Sequence, residues 1–85
     1  MKSEDWKSLL ATRSLSRDGE VIPPESCCVI LVVGSRCLTA GPTSKITFND
    51  TFLFEHGFTP GNGYPIETIG RWEDITAIHI QHLSR

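Results

Sequence analysis

The sequence predicts an α+β, mostly β domain in which one N-terminal helix precedes about five short antiparallel strands. Three observations carry this. The run Cys27-Cys28-Val29-Ile30-Leu31-Val32-Val33 is the only long apolar stretch, is rich in β-branched residues and is closed by Gly34-Ser35, the pattern of a strand buried on both faces. Beyond it, short alternating segments recur between clusters of Gly, Pro, Asn and Asp. Before it, Trp6, Leu9 and Leu10 repeat at helical spacing behind the acids Glu4 and Asp5. At 85 residues the chain is expected to be a single domain over 1–85.

The elements follow in order. Ser3 is placed to cap a helix over 4–13, with Glu4 and Asp5 in the first turn where the helix dipole favours negative charge. Such a short helix is marginal alone in water, so its Trp6/Leu9/Leu10 stripe must dock. Residues 14–26 read as a connector, with a turn at Asp18-Gly19, an extended path at Pro23-Pro24, and Val21 and Ile22 tacked onto the core. The β region spans 27–83. Gly34-Ser35 turns the apolar run into Arg36–Ala40, and Gly41-Pro42-Thr43-Ser44 turns that into Lys45–Asn49, with Ile46 and Phe48 inward. Asp50 marks a bend or bulge before Thr51–Glu55. The stretch Gly57 to Pro65 reads as a loop, Ile66–Ile69 as a short strand, 70–75 as a tight or single helical turn, and Thr76–Leu83 as a closing strand.

This element order resembles that of Sm-like folds, in which an N-terminal helix caps a small barrel. The resemblance is of order alone, and a strongly curved sheet packed on the helix is the other arrangement it allows.

Composition narrows the function classes. The net charge is −2 with the signs interspersed, neither the surplus of a general nucleic-acid binder nor the extreme of an acidic mimic. The segment Met1–Trp6 has acids where a secretory leader needs a basic and then an apolar run, and no apolar stretch approaches the ~20 residues of a membrane span. A cytoplasmic protein without membrane contact is expected, with its cysteines as thiols.

Each candidate for chemistry has a plainer reading. If Gly34-Ser35 is a two-residue turn, Val32 faces Cys37, and Cys28 lies about 13 Å from that position along the strand, beyond the ~7 Å a disulfide spans. Cys27 points to the opposite face from Cys28. The three cysteines lack the C-x₂₋₄-C step usual in zinc sites, so they read as buried structural thiols, and no metal or cofactor is predicted. His79 and His82 fall on opposite faces of a strand, and a Cys37–His56 nucleophile pair is possible only through spatial proximity. Glu55, Glu73 and Asp74 could do acid–base work, but Glu73-Asp74 suits the opening of a short turn. Gly61-Asn62-Gly63 could offer backbone donors to an anion, without a phosphate-loop pattern to support it. No catalytic residue is assigned, and the chain is not read as an enzyme.

Thr51-Phe52-Leu53-Phe54 is more suggestive. Consecutive large apolar residues point to both faces of a strand, and in a thin sheet only one face meets the core. Phe52, Phe54, Phe58 and Tyr64, with Arg71 as a polar neighbour, are therefore the expected protein-contact residues. The function expected is that of a small protein-binding module, of the regulator or inhibitor kind, whose partner is another protein or a second copy of itself. The alternative is a small barrel for single-stranded nucleic acid, using Arg36, Lys45 and Arg71 beside the aromatics.

Overall fold

The computed structural model describes residues 3–83. Helix α1 (Ser3–Thr12) is followed by β1 (Ser16–Arg17), β2 (Glu20–Val21), β3 (Cys27–Val33), β4 (Arg36–Ala40), β5 (Lys45–Phe48), β6 (Phe52–Phe58) and β7 (Pro65–Arg71). A single 3-10 turn (Trp72–Asp74) leads to β8 (Ile75–His82). The protein is mostly β, and its strand pairs are antiparallel. They form two sheets, ordered β1-β2-β5-β6-β7 and β4-β3-β8, rather than one closed barrel.

The helix ends as its sequence requires. Ser14 takes a left-handed conformation (φ 60°). The Ser14 N–H donates to the Ala11 carbonyl and the Leu15 N–H to the Leu10 carbonyl at 2.7 Å, the paired bonds of a Schellman stop. Leu10 and Leu15, brought together by that turn, are both buried, while Trp6 packs against the core from one turn earlier. Capping by Ser3 rests on a side chain outside the described residues.

The connector holds more order than its composition suggested. Asp18 and Gly19 both have positive φ (55° and 77°), the geometry of a two-residue hairpin turn, and they join β1 to β2. Two-residue strands are too short to show alternation. Val21 is 1% exposed, so this hairpin does fasten to the core.

The β3–β4 register is the one deduced from the turn, with Val33 opposite Arg36 and Val32 opposite Cys37. β3 is the central strand of its sheet. Val29, Leu31 and Val33 face the core, whereas Ile30 and Val32 are only half-buried, so its second face is less covered than its composition implied. Cys27 and Cys28 are buried free thiols, but Cys37 is exposed. Leu38 and Ala40 take the inward positions of β4, which turns the intervening Cys37 outward.

The strands on either side of the glycine-rich loop are longer than expected, and β7 runs on to Arg71, so the helical turn begins only at Trp72. Asp50 and Thr51 make the bend expected between β5 and β6, and the Asn49 side-chain oxygen holds it by accepting the N–H groups of Thr51 (2.9 Å) and Phe52 (2.8 Å). β6 continues through Phe58 and β7 begins at Pro65, because Gly57 pairs with Ile66 and Phe58 with Pro65. The glycine-rich loop is thereby reduced to residues 59–64.

Trp72 joins these parts. It is 0% exposed, meets the Phe48 ring edge-on at 5.0 Å, and donates its indole N–H to the Asn49 carbonyl at 2.7 Å. The 3-10 turn is thus fixed to the β5–β6 turn, and β7 is delivered beside β6.

Candidate protein-contact surface

Alternation along β6 settles which face of the aromatic segment meets the core. Leu53 is 0% exposed and points inward, so Phe52, Phe54, His56 and Phe58 point outward. Pairing with β7 sets Arg71 opposite Phe52, Ile69 opposite Phe54, Glu67 opposite His56 and Pro65 opposite Phe58. On the other side β5 contributes Thr47 beside Phe54 and Lys45 beside His56.

The outer face of this sheet has three zones. At one end Phe52 and Phe54, with ring centroids 6.3 Å apart, lie beside Ile69, which is 57% exposed. In the middle His56 shares a hydrogen bond with the Thr47 hydroxyl through Nε2 (3.1 Å) and sets Nδ1 3.6 Å from a Glu67 carboxylate oxygen. At the far end are Phe58 and, in the adjoining loop, Tyr64, both about two-thirds exposed. Phe58 lies about 20 Å along the strand from Phe52, so neither it nor Tyr64 extends the first cluster. Ile66, beside Gly57 on the opposite face, opens onto a groove of about 680 Å³ that also touches Pro42, Ser44, Lys45 and Phe58.

Sequence reading missed Ile69. Its significance lies in its pairing with Phe54, which depends on the true length of the 59–64 loop. That loop is held by a Thr59 hydroxyl bond to Asn62 and by Thr59 N–H donation to the Tyr64 carbonyl at 2.8 Å.

The cations of the nucleic-acid alternative are not gathered. Arg36 opens β4 in the other sheet, and Lys45 lies beside His56, four positions along β6 from the Phe52 that faces Arg71. Arg71 itself is partly neutralised, with Nη2 3.1 Å from Glu73 and Nε 3.3 Å from Asp74.

The chemistry-bearing groups are likewise dispersed. Glu55 accepts the Thr39 backbone N–H at 2.7 Å, which makes it a tie between the sheets. His56 contacts Thr47 and Glu67, not a cysteine. The closest thiol–imidazole approach is Cys27 Sγ to His82 Nδ1 at 3.3 Å, from cross-strand neighbours at the end of the β3–β8 pair. Among the described residues no three of His, Cys, Asp and Glu gather as a metal site, and no helix is long and apolar enough to cross a membrane.

β7 has one further property. The Trp72 N–H donates to the Thr51 carbonyl, and the Thr59 N–H to the Tyr64 carbonyl. These two bonds set the hydrogen-bond phase of the β6–β7 pair. Ile66, Thr68 and Gly70 turn their backbone groups toward β6, and Glu67, Ile69 and Arg71 turn theirs away, toward an edge that pairs with no described strand. The outer edge of β4 is different: the Thr39 N–H is taken by Glu55 and its carbonyl by the Ser44 hydroxyl at 2.6 Å.

Comparison with known proteins finds no matching family model, no matching curated protein and no matching solved structure.

Proposed function

We propose that this is a small protein-binding module of the regulator or inhibitor kind, working in the cytoplasm and meeting its partner through the outer face of β5, β6 and β7. The observation that supports this is the Phe52/Phe54/Ile69 cluster, large apolar side chains grouped on one sheet face away from the core. Clustered exposed apolar residues with a polar border favour a partner, and Arg71 and Glu67 supply that border. Phe58 and Tyr64 form a secondary contact at the other end. The same proposal reads the fold as an opened barrel of Sm-like type, its two sheets bent around one core and linked through Gly41–Ser44.

The test is capture with matched variants. Phe52→Ser combined with Ile69→Ser should keep the wild-type melting curve within a few degrees and lose most of the bound protein. Arg36→Ser, on the other sheet, should capture as the wild type does. Equal capture by the Phe52/Ile69 variant would refute the proposal. Loss with Arg36→Ser together with sensitivity to nuclease would favour the nucleic-acid alternative.

A further inference from the structure

We infer that this chain pairs with a second copy of itself along β7, antiparallel, about a two-fold axis at Ile69. The inference deepens the protein-contact reading and rests on it in that this face meets protein, but a different observation carries it: the hydrogen-bond phase of the edge.

Glu67, Ile69 and Arg71 present backbone N–H and C=O groups outward, while Pro65, without an N–H, ends the edge. In the antiparallel self-pairing, Ile69 lies opposite Ile69 of the second copy and Glu67 opposite Arg71 of the second copy. The two Ile69 residues exchange both N–H···O=C bonds, and each Arg71 N–H donates to the facing Glu67 carbonyl. Side chains at these positions share the outer face, so the same register sets an acid against a base on each side of an isoleucine pair. Segment Glu67-Thr68-Ile69-Gly70-Arg71 is therefore complementary to itself when reversed, as an isologous contact requires.

The side chains are available for this. Glu67 is 48% and Arg71 52% exposed, and Arg71, with Nε and Nη2 on Asp74 and Glu73, keeps Nη1 for the acid of the second copy. The other long edge is a poorer fit to itself. The Leu83 N–H bond to the Ser26 carbonyl sets the phase of β8, which turns Ile78, Ile80 and His82 outward with no opposite charges to pair. The edge of β4 is occupied by Glu55 and Ser44. Self-pairing along β7 would join two outer faces into one continuous sheet and set two Phe52/Phe54/Ile69 clusters side by side, a bivalent surface.

The experiment exchanges charges across the axis, with native mass spectrometry and sedimentation equilibrium on the purified chain. Wild type should dimerise with rising concentration. Glu67→Arg alone and Arg71→Glu alone should each weaken the dimer at least tenfold, because like charges then face each other. Mixed in equal amounts, the two variants should form a heterodimer, since every facing pair becomes opposite in sign. Ile69→Pro removes the outward N–H and the isoleucine side chain at the axis, takes no hydrogen bond from the β6 pairing, and should give a folded monomer by circular dichroism. It carries the test if Arg71→Glu does not fold. A monomeric wild type, single variants as dimeric as wild type, no mixed species from folded variants, or assemblies larger than two would each overturn the inference. These masses come from the purified chain, so the dimer can fail while capture of a foreign protein succeeds, and the reverse.

Discussion

Trp72→Ala should destabilise the fold by about 3–5 kcal/mol, the usual cost of truncating a fully buried large aromatic. Total stability for a domain of this kind is about 5–15 kcal/mol, so roughly a fifth or more of it would be lost. The melting temperature should fall by about 15–30 °C. The indole fills space against Phe48, and its N–H satisfies the Asn49 carbonyl across the β5–β6 turn. Its removal leaves a cavity and an unpaired acceptor and frees the 3-10 turn that positions β7. Trp72→Phe restores part of the volume without the donor and should fall between wild type and Trp72→Ala. Thermal melts followed by circular dichroism check both, and a Trp72→Ala curve within a few degrees of wild type would show that the core is not organised around this residue.

Gly70→Ala is the second large effect, and its sign depends on packing alone. Gly70 does not have positive φ, so alanine would ordinarily stabilise by about 0.4–1 kcal/mol through the unfolded chain. Here an added Cβ would lie 2.8 Å from Val33 Cγ1 and 3.7 Å from Leu38 Cδ1. Val33 is β-branched and stiff, so the overlap must be relieved by backbone movement, at about 1–3 kcal/mol. The clash outweighs the entropy gain, and the variant should be less stable. In urea titrations, Gly70→Ala should cost less in a Val33→Ala background than in wild type, because both act on one contact. A stabilised Gly70→Ala protein would contradict the close approach of β7 to the second sheet.

The parts of the fold readable from sequence are those governed by local rules. The Cys27–Val33 strand, its Gly34-Ser35 turn and the Val32–Cys37 register follow from composition and turn length. Helix docking by Trp6 and Leu10 follows from helical periodicity. What escaped depends on distant contacts. The β1–β2 hairpin is two residues per strand, below the length at which alternation shows. Pro65 looks like loop punctuation, yet it begins a strand because its missing N–H falls on the unpaired edge. Cys37 is exposed because Leu38 and Ala40 claim the inward positions. At the candidate site Phe52 and Phe54 were legible as a surplus of apolar side chains over available core. Ile69 was not, because its pairing with Phe54 requires the β6–β7 register, and the same register separates Phe58 and Tyr64 from the first cluster.

Amide hydrogen exchange, residue by residue, on dilute and concentrated protein tests most directly whether the open edge of β7 meets a second copy of this chain. The Ile66, Thr68 and Gly70 amides, bonded to β6, should be protected at both concentrations. The Glu67, Ile69 and Arg71 amides should exchange rapidly in dilute protein and become protected as concentration rises. Exchange at those three that stays fast at every concentration, or protection that grows instead at Ile78, Ile80 and His82, would contradict the account.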